Sequence, residues 1–267
     1  MSTQSGDHYQ EVEITLLICS LAASDIARQI SELTSVGQYQ VRFCEHRAIS
    51  DTYLDTPERQ LHRANVSLRL RMTDGSPWVT FKGEPRRMSW GAVARLEIEK
   101  PWGEDALNAV LAQLEESGVK LPMDRSQYRD TDPLEVMSDL GLTPIQSRSN
   151  DRTVRELCRS ISPEEVLAEM VIDSVTYRFG ESEVRHLEVE IESRIPNDST
   201  ALQEASRWLV ERYAPHLSIW PYGKLTTGAA VQQLLAQGDL QRFMDPNHHL
   251  LPPAYTAIKA YLEATTR

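Results

Sequence analysis

His186-Leu187-Glu188-Val189-Glu190-Ile191-Glu192 alternates large aliphatic side chains with polar ones, three of them carboxylates. Period-2 alternation reads as a β-strand, with Leu187, Val189 and Ile191 on one face and the three glutamates on the other. A half-exposed surface strand would carry the same pattern, so this stretch alone decides nothing. Its weight comes from recurrence with both signs of charge. Residues 10–18 place Glu11, Glu13 and Thr15 together, and residues 66–72 place Arg69 and Arg71 together. Residues 78–83 align Trp78, Thr80 and Lys82, and residues 93–100 align Arg95, Glu97 and Glu99. Further strands are expected over 145–157, with Arg148 and Arg152 on one face, and over 166–179, with Glu169 and Asp173.

Between these strands the helical signals are few. Ser24 is expected to cap a helix carrying Ile26, Ile30 and Leu33. Residues 105–116 have an apolar stripe of Leu107, Val110, Leu111 and Leu114, with Gly118 as the stop. A short helix is expected around 134–140. Ser162-Pro163-Glu164-Glu165 reads as a capped single turn, with proline at its first position. Thr200 and Gln203 form a capping-box pattern ahead of Leu202, Ala205 and Leu209. Residues 39–54 read as two short strands, and Asp74 to Pro77 as a turn. Two more helices follow Gly228, joined by a loop with proline and histidines. At least eight short strands without long βαβ alternation predict an α+β fold on an antiparallel sheet. The one boundary the pattern supports gives a strand-rich domain over 1–230 and a helical C-terminal extension over 231–267. That extension either packs on the sheet or mediates association, as in a homodimer.

The 267 residues suffice for a sizeable core, and 40% hydrophobic with 25% charged residues is ordinary for a soluble globular protein. No apolar run approaches the roughly 20 residues of a membrane span, and the polar first ten residues lack a signal-peptide pattern. Three scattered cysteines fit a reducing, cytoplasmic setting better than a disulfide framework or a zinc ribbon. A net charge of −11 argues against nucleic acid or an anionic membrane as the main partner, though a cleft can oppose the net charge locally.

If the sheet closed with its charged face inward, it would form a polar tunnel. Clustered carboxylates suit a hard divalent cation, and arginine forks with lysine suit phosphate oxygens. Metal and bases together would bind a polyphosphate. The bland alternative is a half-exposed sheet laced with cross-strand salt bridges.

The order of the motifs adds a resemblance. Glu11-Val12-Glu13-Ile14-Thr15 resembles the Glu-x-Glu-x-Lys start of the CYTH, or triphosphate tunnel metalloenzyme, superfamily. Tyr53-Leu54-Asp55-Thr56-Pro57, then Leu61, Arg63-Ala64 and Ser67-Leu68-Arg69-Leu70-Arg71, is similar to its most recognisable block. The lysine strand ending at Lys82, Arg95-Leu96-Glu97-Ile98-Glu99, Arg152-Thr153, Asp173, Leu187 to Ile191 and Gly223-Lys224-Leu225 follow in family order.

The resemblance implies an eight-stranded antiparallel β-barrel, a tunnel with flanking helices, that acts on triphosphates with Mg²⁺ or Mn²⁺. It implies metal ligands among Glu11, Glu13, Glu97, Asp173, Glu188 and Glu190, and a phosphate-binding set of Arg69, Arg71, Lys82, Arg95, Arg148, Arg152 and Lys224. Glu11, Glu13, Arg69 and Lys82 are the expected catalytic groups. The expected activity is hydrolysis of a small triphosphate or polyphosphate, most simply inorganic triphosphate. A polyphosphate- or nucleotide-binding module and an adenylate cyclase are the alternatives. Thr15 departs from the pattern, since it stands where the family has lysine. Losing one charge-assisted contact removes about 1.5–3 kcal/mol, one to two decades of rate if it acts in the transition state.

Overall fold

The computed structural model describes residues 9–122 and 132–265. Most of the polar start, residues 1–8, and part of the polar 122–144 segment, residues 123–131, lie outside that range. The strands in chain order are β1 (Tyr9–Ile18), β2 (Ser35–Val36), β3 (Tyr39–Asp55), β4 (Ser67–Thr73), β5 (Ser76–Lys82) and β6 (Arg86–Arg87). They continue as β7 (Val93–Pro101), β8 (Thr143–Arg159), β9 (Ser162–Phe179), β10 (Ser182–Ser193) and β11 (Leu217–Trp220). The helices are α1 (Ala23–Ser31), α2 (Gln60–Arg63), α3 (Glu104–Glu116), α4 (Pro133–Asp139), α5 (Thr200–Arg212), α6 (Lys224–Ala236) and α7 (Pro252–Thr265).

The sheet runs β11-β1-β10-β9-β8-β3-β4-β5-β7-β6, and a further β1–β7 pairing closes eight strands into an antiparallel ring. Tight turns set its hairpins. Asp74 and Gly75, at φ +51° and +74°, make the two-residue link between β4 and β5, a left-handed pair that matches strand twist. No helix of the described residues is long and apolar enough to cross a membrane.

The chain forms two compact units. Unit 1 comprises residues 1–11, 49–86 and 94–147; unit 2 comprises residues 12–48, 87–93 and 148–267. In unit 1 the expected stripe of α3 is buried with Leu68, Val79, Phe81 and Ile98. Unit 2 has two cores. One joins Ile14, Leu16, Val189 and Ile191 to Ile26 and Ile30 of α1 and Leu202 and Leu209 of α5. The other joins Leu17, Val184 and Trp220 to Val231, Leu234, Tyr255, Ile258 and Leu262, so residues 231–265 pack within unit 2.

Several local expectations fail for identifiable reasons. β3 is one 17-residue strand and not two, because the polar residues of its middle face solvent without breaking the backbone pattern. Residues 162–165 begin β9; Pro163 sits at the second position of a strand, where a missing N–H costs little, and there is no helical turn. The turn before β5 is only Asp74-Gly75, with Ser76 and Pro77 already in strand. Ser24 lies inside α1, and Ala22 is the residue before it, with no side-chain cap. The capping box at Thr200 does not form: the Asp198 carboxylate accepts from the Thr200 N–H instead. α6 starts at Lys224, ahead of the expected Gly228.

Candidate functional site

Unit 1 carries one cluster of charge. Register places Asp51 of β3 opposite Arg71 of β4, and Tyr53 opposite Arg69. On the other flank of β4, Thr80 of β5 lies opposite Arg69, and β7 puts Glu99 opposite Thr80 and Glu97 opposite Lys82. Cross-strand neighbours on one face are close enough to pair, and these do. Arg71 grips Asp51 with two donors, Nε to Oδ1 at 2.8 Å and a terminal nitrogen to Oδ2 at 3.2 Å. Arg69 donates to Glu99 at 3.0 Å, and the Thr80 hydroxyl donates to the same oxygen at 2.9 Å. Lys82 Nζ lies 2.8 and 2.9 Å from the two Glu11 oxygens and 3.3 Å from Glu97, while Arg95 Nε donates to Glu11 at 3.1 Å.

Burial sets the energetics of this cluster. Asp51, Arg69 and Arg71 are buried. Burial alone would push the Glu99 carboxyl up, but Arg69, Arg71 and Lys82 overcome it and hold it near 2. The same opposition, with Lys82 as the main cation, holds Glu97 below its ordinary value. Burial pulls Arg69 down, yet Asp51, Tyr53 and Glu99 keep it far above the ordinary guanidinium value. The Arg69 Nε–H is buried with no hydrogen-bond partner among the described residues.

Unit 2 carries the second cluster. Asp173 of β9 lies opposite Glu188 of β10, and Glu190 lies opposite Thr15 of β1. Asp173, Glu188 and Glu190 each present an oxygen within 4.8 Å of the others. Into this trio reaches Lys224, the first residue of α6: its Nζ is 3.0 Å from Asp173, 2.5 Å from Glu190, and in direct contact with Glu188. Arg152 clamps Asp173 with two donors at 2.8 and 2.7 Å, and also approaches Glu190 at 3.4 Å. His186 Nε2 donates to the second Glu188 oxygen at 2.9 Å. The Tyr177 hydroxyl donates to the Lys224 backbone carbonyl at 2.9 Å.

The three carboxylates are not equivalent. Burial would raise all of them. Lys224 and His186 overcome it at Glu188 and hold that carboxyl near 2, and Arg152 with Lys224 pull Asp173 well below the usual range. Glu190 is pushed up, by burial first and then by Glu13, Glu188 and Asp173, against the pull of Lys224. Lys224 itself, which burial would lower, is held far above its ordinary value by the three acids.

The expected site residues therefore fall into distinct sets. Glu11, Glu97, Arg69, Arg71, Lys82 and Arg95 belong to the unit 1 cluster, while Asp173, Glu188, Glu190, Arg152 and Lys224 belong to that of unit 2. Glu13 lies opposite Glu192, next along β1 from Thr15, and Arg148 is buried on the β8 face of Arg152. Glu192 pairs with Arg194 at 3.1 Å. Two residues carry roles that the sequence reading passed over. Asp51 is one, although its spacing from Tyr53 places it on the charged face. His186 is the other, two residues before Glu188 on the same face.

Asp55, in the motif block, has a structural task. Its carboxylate accepts N–H groups of Thr56, Leu61 and His62 at 2.8, 2.9 and 3.1 Å, and so fixes the exit of β3 into α2.

Three carboxylate oxygens converging with no sulfur or imidazole donor suit a hard cation such as Mg²⁺ or Mn²⁺. Among solved structures, the Hippeastrum protein HpAC1, for which a dominant triphosphatase activity is described, matches with a TM-score of 0.51 at 16% identity, covering 83% of this chain and 96% of that one. The PH1819 protein of Pyrococcus horikoshii OT3 matches with a TM-score of 0.47 at 17% identity, over 85% of this chain and 99% of the other. No curated protein matches this chain significantly in sequence. The CYTH domain family matches residues 10–213, well over half of the sequence, and the chain belongs to that family.

Proposed function

We propose that this CYTH protein hydrolyses a triphosphate compound in a divalent-metal-dependent reaction, with inorganic triphosphate as the simplest substrate. The carboxylate trio of Asp173, Glu188 and Glu190 is the observation that carries the reading. These three residues would hold Mg²⁺ or Mn²⁺, which would polarise a phosphate oxygen and offset the charge that develops during transfer.

The chain's own groups supply the rest. Arg69 brings a buried Nε–H free to donate to a phosphate oxygen, in a guanidinium fixed by Asp51 and Glu99. A donor that is already oriented needs no reorganisation when an anion arrives. Arg71, Lys82 and Arg95 extend that positive set, with Glu11 as the counter-ion that holds Lys82 and Arg95 in place. Arg152 orients Asp173, and Glu13 adds negative charge beside Glu190. Arg148, buried on the same β8 face as Arg152, would complete the phosphate-binding set.

A binding module with little turnover is the second reading, and Thr15 favours it. Thr15 pairs with Glu190 across β1 and β10, and the family lysine at that position would bring an ammonium. Phosphate release from tripolyphosphate, thiamine triphosphate and ATP, each with Mg²⁺ and Mn²⁺, separates the readings, with cyclic AMP followed in parallel. Metal-dependent release is expected. Tight binding of tripolyphosphate without release would leave the binding module, and cyclic AMP as the main product would make the protein a cyclase.

A further inference from the structure

The Lys224 ammonium touches all three carboxylates of the trio at once. We propose that Lys224 is the trio's resident cation, and that a divalent ion binds by displacing it and so releases an ammonium to the substrate's phosphate. The proposal rests on the reading of the trio as a metal site and gives that site a second state.

Three observations lead here. The first is competition for the same lone pairs. Mg²⁺ needs carboxylate oxygens at about 2.0–2.1 Å, and an ammonium held between the same oxygens excludes it. The second is charge. Three carboxylates against Lys224 and Arg152 leave one negative charge in excess, to which Glu13 adds, and a divalent ion in place of the ammonium offsets one more of those charges. In a buried cluster, where uncompensated charge is costly, that difference favours exchange. The third is mechanical. The Lys224 backbone is fixed at the start of α6, by the Tyr177 hydroxyl on its carbonyl and by the apolar packing of Val231 and Leu234 further along the helix. Its four-carbon side chain can move its tip by several ångström while the backbone stays, which a planar guanidinium on a clamped arginine does less readily. His186 and Arg152 hold Glu188 and Asp173 from their other sides, so the carboxylates would remain in place when the ammonium leaves.

The test is one variant read in two ways. Lys224→Met should bind Mn²⁺, titrated by electron paramagnetic resonance in the absence of any triphosphate, about tenfold more tightly than the unaltered protein, a change of the size that neighbours of a metal site produce. The same variant should raise KM for tripolyphosphate about tenfold. A merely structural lysine would weaken both. Unchanged or weaker Mn²⁺ binding by folded Lys224→Met overturns the proposal.

Should that variant fail to fold, the unaltered protein still answers. A buried ammonium held between three carboxylates gives an observable ¹⁵N-correlated side-chain signal. Saturating Mg²⁺ should shift or abolish it, and an unchanged signal at saturation overturns the proposal. Because the metal titrations use no triphosphate, tighter Mn²⁺ binding without turnover on any substrate would sink the hydrolase reading and leave this one standing.

Discussion

Unit 1 sets four carboxylates, Glu11, Asp51, Glu97 and Glu99, against four cationic groups, Arg69, Arg71, Lys82 and Arg95, in rows across paired strands. Unit 2 gathers three carboxylates around one ammonium, with a single guanidinium on their flank. The two clusters use the same residue types and alternation, and they differ in balance and geometry. Matched rows fix their partners at neutral net charge, which suits a rigid set of donors. The convergent trio leaves its carboxylates in excess over the lysine and the arginine that touch them. Alternation therefore says which residues share a face, and only the cross-strand stoichiometry says how the charges on that face balance.

The largest expected effect breaks the matched cluster. Asp51→Ala removes the two-oxygen acceptor of Arg71, which keeps only Glu99 at 3.4 Å, and a partner of Arg69, all three buried, and should cost about 3–5 kcal/mol in urea unfolding, the scale of stripping one member from a buried pair. A loss below 1 kcal/mol would mean that the guanidiniums need no such anchor. The convergent cluster should break differently. Glu188→Gln removes one of three ligand charges and should lower metal-dependent phosphate release by about 100-fold, the upper scale for losses at or next to a metal site, with a smaller change in stability. Equal losses in both measurements would erase the distinction between the clusters.

A finer probe is His186. Replacing it with Phe removes the donor that orients Glu188 and should weaken Mn²⁺ binding about tenfold, whereas His186→Gln keeps an N–H near the position of Nε2 and should recover most of that loss. If Gln and Phe behaved alike, the hydrogen bond would have no part in it.

The smallest effect concerns acid. Glu99, held near 2 against an ordinary 4.5, stabilises the fold above pH 4.5, and that contribution is lost as pH falls toward 2. Its side chain is 31% exposed, so solvent screens the effect. Glu190, pushed up, has the opposite sign: its share of stability falls as pH rises through its folded value. The stability gap between the unaltered protein and Glu99→Gln should shrink on acidification, and that for Glu190→Gln should run the other way. Parallel slopes would contradict the difference in charge balance.

The strands bearing Arg69 and Glu188 were legible because one face packs in an apolar core while the other carries charge, a strict alternation that chance rarely sustains. The apolar stripe of α3 was legible for the same reason at helical period. What stayed hidden depends on partners far apart in the chain. Asp51 and Arg71 meet only once β3 and β4 pair, and nothing within either strand announces it. Sequence shows type and spacing, so it announces neither the pairing of Glu11 with Lys82 nor the convergence of Asp173, Glu188 and Glu190. Proline misled in the stretch at 162–165, since the ring that can start a helix also fits the opening of a strand.

Lys224 lies beyond residue 213, where the family match ends. A protease cutting between Tyr213 and Lys224 would leave the whole matched segment intact. If the piece from Lys224 onward then separated, it would take the ammonium with it, and the three carboxylates would lose the lysine that touches all of them. The end of the matched segment and the end of the charged cluster are thus different places on this chain. A shortened protein that keeps every matched residue would be electrically incomplete.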